Sequence, residues 1–308
     1  MDEDRRASGG LLLKNLKLAS HSILESMNGR SPCPNCKASR KFYCYTCYVP
    51  VEELKDKVPQ VKLPLKIDII KHPKEIDGKS TAVHAGLISP NDVTIYTFPC
   101  IPDFESSEKV VLVFPSKDAV KLDDIFKVPK DDKKEGKEDD KKEGKEDDKK
   151  EGVKEQIDSS FTRVVFIDST WNQSNQIFRD ERLKGLPCII LNSRETCFWR
   201  TQKDKPNTYL ATIEAIYYFL VDYHNLTHDD IPYDGRYDNL LYFYAFMYKV
   251  VEKSNEEKKH EGMENIRKRK RQDWEEKIRN KKLDNLDDVE KEKCKQNNDD
   301  SNKKAGSS

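Results

Sequence analysis

Residues 163–182 read RVVFIDSTWNQSNQIFRDER. Val164-Val165-Phe166-Ile167 is a continuous apolar run of the kind that fills a strand covered on both faces. Polar groups begin abruptly at Asp168-Ser169-Thr170-Trp171, and the amphipathic stretch 172–183 then predicts a helix. Open α/β sheets bind their ligands beyond the carboxyl ends of such strands, where the chain turns into a helix. A plainer role fits the same residues, since Asp168 or Ser169 could simply cap the helix that follows.

Outward from this stretch, residues 65–70 (LKIDII), 92–98 (DVTIYTF), 110–114 (VVLVF) and 186–191 (LPCIIL) read as further strands. Residues 210–226 predict a helix with Leu210, Ile213, Tyr217, Leu220, Val221 and His224 on one face. A second, at 238–252, is capped by Asp238 and apolar nearly all round, so it is buried or lines a subunit interface, and a homodimer is a possible assembly. Strands separated by helices predict an α/β sheet. Near the start, Leu12, Leu16, Ala19, Ile23 and Met27 recur at helical spacing and predict an amphipathic helix ended by Asn28-Gly29.

The chain has 308 residues, 36% charged and 35% hydrophobic, with a net charge of zero. The excess charge is local. Residues 131–152 carry DDKKEGKE twice and then DDKKEG, a composition that cannot bury enough surface to offset its ordering entropy. The organisation predicted is an N-terminal helix and tail at 1–30, a cysteine knuckle at 31–50 and an α/β domain at 51–253. A charged insertion occupies 117–160, and a charged basic tail, disordered or helical, runs over 254–308. No stretch approaches the roughly 18 apolar residues of a membrane span, and Leu11-Leu12-Leu13 meets a lysine too soon for a signal-peptide core. Arg267-Lys268-Arg269-Lys270-Arg271 is a basic pentad of nuclear-localisation type, which places the protein in the nucleus, with the cytoplasm as a second location.

Cys33-Pro34-Asn35-Cys36 and Cys44-Tyr45-Thr46-Cys47 set four thiolates at a C-x2-C-x7-C-x2-C spacing. Four soft sulfur ligands suit a closed tetrahedral Zn²⁺ site, which has no open position and is therefore structural. The hairpin between the pairs carries Arg40 and Lys41. Gly78-Lys79-Ser80-Thr81 looks like the end of a P-loop, but the required first glycine falls at Pro73, so that reading fails. Phe198-Trp199-Arg200 lies near Lys203 and Lys205, a set able to stack a base and hold a phosphate, or else to cover the sheet edge.

Asp168-Ser169-Thr170-Trp171 matches the D-x-T-W signature of the DTW-domain family, and five further stretches match in order: residues 33–47, 72–75 (HPKE), 110–115, Arg194 and 210–215. The chain thus resembles that family over about residues 33–253. The family is similar to the SPOUT class, which implies a sheet ending in a C-terminal trefoil knot. The resemblance also implies the reaction: the 3-amino-3-carboxypropyl group of S-adenosylmethionine moves to N3 of a D-loop uridine of transfer RNA, position 20 being the expected target, and methylthioadenosine leaves. In that reading Asp168 accepts the N3 proton or orients the cofactor, Thr170 hydrogen-bonds nearby and Trp171 packs the cofactor or the base. Ser169, Arg194, Thr212, Glu214 and Thr81 would hold the cofactor, with Arg194 paired to its carboxylate. Arg200, Trp199 and His72 would contact RNA. Ala211 stands where the family has serine, which removes a capping oxygen worth about 1 kcal/mol. A knotted RNA methyltransferase and a non-catalytic zinc module that binds RNA are the competing readings.

Overall fold

The computed structural model describes residues 13–105, 108–126, 159–200, 206–228 and 230–305, the side chains of 266 and 278–305 excepted. The charged repeat at 131–152, Leu12, Lys203 and Lys205 lie outside them. The chain divides into two compact units, Met1–Tyr248 and Lys249–Ser308.

Leu13 and Lys14 are helical, but beyond them the amphipathic helix expected near the start is reduced to one turn, α1 (Ser22–Glu25). Its predicted first half is tied elsewhere: the N–H of Lys17 donates to Asp238 Oδ2 at 2.7 Å and that of Ala19 to Asn239 Oδ1 at 2.8 Å. Backbone donors committed to distant side chains cannot also build a helical ladder. Two tiny hairpins follow, β1 (Ser31–Pro32) with β2 (Ser39–Arg40), and β3 (Tyr43–Cys44) with β4 (Val49–Pro50).

The main sheet is built from β5 (Lys66–Lys71), β6 (Val93–Thr97), β7 (Val110–Val113), β8 (Val120–Lys121), β9 (Arg163–Asp168) and β10 (Cys188–Ile190). Its order is β6-β5-β9-β7-β10-β8, and every neighbouring pair is parallel. Parallel strands need crossovers, here α2 (Ala82–Ile88) between β5 and β6, and α4 (Trp171–Phe178) with α5 (Glu181–Lys184) between β9 and β10. A short α3 (Leu122–Phe126) follows β8, and α6 (Thr212–Thr227) follows β10. The 3₁₀ turn Asp238–Leu241 then opens α7 (Tyr242–Ala305).

Successive strand side chains alternate between two apolar layers. Ile67, Ile69, Val111, Val164 and Phe166 join the layer that holds α2, α6 and the first turns of α7. Ile70, Leu112 and Val165 join the layer of α4 and α5, through Ile177 and Leu183. The central strand is therefore covered on both faces, which is why it reads as an unbroken apolar run rather than an alternating one.

Two expectations are corrected here. The helix expected over 172–183 is two helices, because Asp180 takes an extended conformation and its carboxylate accepts the Arg182 N–H, starting α5 afresh. The stretch assigned to the charged insertion begins with folded elements: Leu122 and Ile125 are buried, and Phe126 meets Phe161 edge-on at 6.3 Å between ring centroids. The apolar stretch expected as a helix over 238–252 is buried, the first of its two readings: Leu240 in the 3₁₀ turn and Phe243 and Tyr244 in α7 are fully covered. In the second unit α7 is a charged helix with Trp274 exposed. Among the described residues no helix is long and apolar enough to cross a membrane.

Candidate active site

Asp168 ends β9 level with Lys71, its register partner at the end of β5. Its carboxylate is buried, 4% exposed, and both oxygens are committed: Thr212 Oγ1 donates to Oδ1, and Ser80 Oγ donates to Oδ2 at 2.7 Å. Its carbonyl accepts the His72 N–H at 2.9 Å. The buried Lys71 ammonium lies close by and pairs with Asp77. Burial lifts the Asp168 carboxyl above the ordinary aspartate range, against the two hydroxyls and Lys71, which favour the anion. The capping role falls to neither Asp168 nor Ser169. Thr170 is the residue at the N-terminus of α4, extended in backbone and exposed, and its N–H reaches Gln173 Oε1 at 3.4 Å.

A pocket of about 410 Å³ opens at the carboxyl ends of β7, β9 and β10. Phe114 and Pro115 line it after β7, Ile167 and Ser169 at the end of β9, and Leu191, Asn192 and Ser193 after β10. Thr212 closes it at the head of α6, and Trp171 forms a wall with Tyr209, their rings 4.5 Å apart. The volume lies within the range of small-molecule sites, roughly 300–1,000 Å³, and the lining is mostly apolar with a few hydroxyl and amide groups.

Arg194 follows the pocket residue Ser193. Its guanidinium lies 4.6 Å over the Tyr218 ring, and Nη2 pairs with Asp222. Nη1 is buried with no hydrogen-bond partner among the described residues. Half of the expected fork is thus spent on Asp222, and the other half is an unused donor.

Glu214 is not on the pocket wall. At 1% exposure it accepts from Thr196 Oγ1 at 2.5 Å, from the Cys197 N–H at 2.6 Å and from the Ala211 N–H at 2.7 Å. It pins the segment after β10 to the start of α6, completing half of a capping box whose other half Ala211 cannot make. Burial raises its carboxyl, and the three donors oppose the shift. Thr81 is likewise buried and accepts the Ile213 N–H at 3.3 Å, so it supports the same helix start.

The four cysteine sulfurs of residues 33, 36, 44 and 47 all lie within 4.8 Å of one another. The same turn is made twice: the N–H of Lys37 donates to Cys33 O at 3.0 Å, the N–H of Tyr48 to Cys44 O at 2.8 Å, and Lys37 and Tyr48 both take positive φ, 61° and 56°. Cys36 and Cys44 sulfurs are 3.6 Å apart, close to the roughly 3.8 Å edge of a tetrahedron with metal–sulfur bonds near 2.3 Å. Burial works against the Cys44 thiolate, but Arg40 and the N–H groups of Cys47 and Thr46 outweigh it and bring the thiol down to about 6. These four residues could hold a metal ion.

The three residues expected to touch RNA are engaged in contacts within the chain. His72 is 3% exposed, and its Nδ1 accepts the Lys74 N–H at 3.1 Å, so it shapes the turn beside Asp168 rather than a surface. Trp199 packs on the core residue Tyr244, ring centroids 4.9 Å apart, and serves as cover for that side of the core. Arg200 reaches Gly78 O at 3.3 Å. Ser80, Lys71, Thr196 and Asp222, which hold the site residues, were not singled out by the sequence reading. A lysine directly after the apolar pair Ile69-Ile70 was the signal for Lys71.

A family model described as the DTW domain matches residues 41–252. A Xenopus tropicalis protein named tRNA-uridine aminocarboxypropyltransferase 1 is 51% identical over 268 residues, spanning 82% of this chain and 89% of its own length. Proteins of the same name from Mus musculus and Homo sapiens are each 50% identical, over 78% of this chain and 83% of theirs. No solved structure matches.

Proposed function

The chain belongs to the DTW-domain family, and on that premise we propose that it is a transfer-RNA uridine aminocarboxypropyltransferase that uses S-adenosylmethionine. One observation carries the reading: in a chain half-identical to proteins of that name, the DTW signature stands at the carboxyl end of the central strand, against a 410 Å³ pocket.

S-adenosylmethionine supplies an electrophilic carbon and a sulfonium leaving group. The pocket fits it in size, and the unused Nη1 of Arg194 is the donor a carboxylate requires. Trp171 and Tyr209 would flank its flat or apolar parts, and Ser169 and Thr212 would meet its polar edge. As the bond from uridine N3 to the γ carbon forms, the carbon–sulfur bond breaks, methylthioadenosine departs and the N3 proton must go to a base. Asp168 is that base: burial raises its affinity for a proton while the hydroxyls of Ser80 and Thr212 hold its carboxylate in one orientation. Glu214, Thr81 and Asp222 position these groups from behind. The reading extends to a SPOUT-like sheet with a C-terminal knot, which the placement of β10 between β7 and β8 supports, and to a structural Zn²⁺ on the four cysteines. It also takes position 20 of the D-loop as the target and, from Arg267–Arg271, the nucleus as the location.

Mass spectrometry of unmodified transfer RNA incubated with the purified protein and S-adenosylmethionine tests it. The expected result is a gain of one aminocarboxypropyl group with methylthioadenosine released; a gain of one methyl group overturns the chemistry.

A further inference from the structure

The two hydroxyls that hold Asp168 face different cavities, although Asp168 itself is buried behind them. Thr212, which donates to Oδ1, lines the large pocket, whereas Ser80, which donates to Oδ2, lines a second cavity of about 180 Å³. This second cavity lies between the cysteine knuckle and residues 77–80. The knuckle side brings Arg30, Arg40 and Lys41 to its wall. Arg40 is fixed, its guanidinium 3.9 Å over the Tyr45 ring, with Nη1 donating to the Tyr45 hydroxyl at 2.9 Å and Nε to Cys44 Sγ at 3.5 Å. Arg30 and Lys41 are exposed at the rim. The carboxylate in the wall, Asp77, already has Lys71 as a partner. Beside Gly78, Arg200 has a buried Nη1 without a partner among the described residues. In a chain of zero net charge, three cations on one cleft are a local arrangement rather than a by-product of composition.

We propose that this cleft seats the backbone of the acceptor RNA, its phosphates on Arg30, Arg40 and Lys41, so that nucleotide and alkyl donor approach Asp168 from different sides. The identity of the acceptor rests on the transferase reading; the cleft itself rests on geometry. Cations spaced along an open rim suit a polymer of phosphates better than one enclosed anion, and phosphate contacts set register without reading sequence. A knuckle clamped by four sulfurs would give those cations a rigid base, a use for the metal site beyond stapling the chain.

The test is the affinity of the full-length protein for unmodified transfer RNA at several salt concentrations, without S-adenosylmethionine. Arg30→Glu combined with Lys41→Glu should weaken RNA binding at least tenfold and flatten the dependence of log K on log salt by about 1–2. Metal content and S-adenosylmethionine affinity should stay as in wild type, and Arg30→Lys with Lys41→Arg should bind RNA normally. If the double charge reversal loses metal, Lys41→Glu alone is read instead, since that side chain is exposed, its ammonium 5.1 Å from the Phe42 ring centroid. Unchanged affinity and slope in a variant with full metal content would overturn the proposal. Wild type that binds RNA through the cleft yet makes no product would sink the transferase reading and leave the cleft standing.

Discussion

Replacing Asp168 by Asn should separate activity from stability. The amide has nearly the same shape but cannot take a proton from N3, and loss of a positioned general base costs about 10²–10⁴ in turnover. On the stability side two terms oppose each other. The Ser80 and Thr212 hydroxyls now donate to the two oxygens of a carboxylate; an amide offers one oxygen, so one hydroxyl donates to a neutral acceptor and the other turns to accept from the NH2, at about 1 kcal/mol each, together about 2 kcal/mol. Against that, the variant no longer buries a charge at a site 4% exposed, and burial is the largest influence on this group, a desolvation term of similar size or greater. The net change should therefore lie within about 1 kcal/mol, or a shift in Tm of only a few degrees for a domain of this size. Single-turnover transfer with saturating S-adenosylmethionine gives the first quantity and thermal unfolding the second. Near-normal turnover would remove Asp168 as the base, and a fall in stability beyond about 3 kcal/mol would show that the hydrogen bonds to the anion outweigh its desolvation.

Stability should also respond to pH through the same group. Its folded pKa lies above the unfolded value, so its contribution is complete below the unfolded pKa and is lost as pH rises through the raised one. The difference in unfolding free energy between wild type and Asp168→Asn should shift against wild type over that window, and a parallel pair of curves would contradict the raised value. Glu214→Ala leaves the buried N–H groups of Cys197 and Ala211 without acceptors at about 1–3 kcal/mol each, so denaturant unfolding should register a loss of about 3 kcal/mol, with Glu214→Gln milder. Arg194→Lys keeps a charge but loses the planar fork, and should raise KM for S-adenosylmethionine about tenfold with little change in kcat; an unchanged KM would free Arg194 from the cofactor. Cys44→Ser should abolish stoichiometric metal in elemental analysis, and a variant that kept full metal would refute four-sulfur ligation.

Much of the sheet was legible because parallel strands buried on both faces announce themselves as short apolar runs, and residues 164–167, 110–114 and 65–70 did so. The strand Val120–Lys121 was not, since two residues carry no periodicity and adjoin a charged tract. The N-terminal helix was overpredicted because spacing cannot see that Asp238 and Asn239, more than two hundred residues away, would claim its backbone donors. The signature residues lie at the strand end that meets the large pocket, but their hydrogen-bond partners were hidden. Glu214 and Thr81 look like ligand groups on paper and turn out to be committed to backbone, while Ser80, in a failed P-loop, holds the carboxylate at the centre. Such roles depend on which long-range neighbour arrives first, and local sequence does not encode that.

The edge-on contact of Phe126 with Phe161 fixes the two ends of the intervening residues beside each other, whatever their length. Closing a longer loop between fixed ends costs only about 0.6 kcal/mol per doubling. The junction is thus a docking port for engineering: a fluorescent or affinity module with adjacent termini could be spliced in there. It would sit at the entry of β9, and five residue steps of strand, about 17 Å, separate that entry from Asp168. A cargo at that port would report on the enzyme from the opposite end of the strands without crowding either the pocket or the cleft.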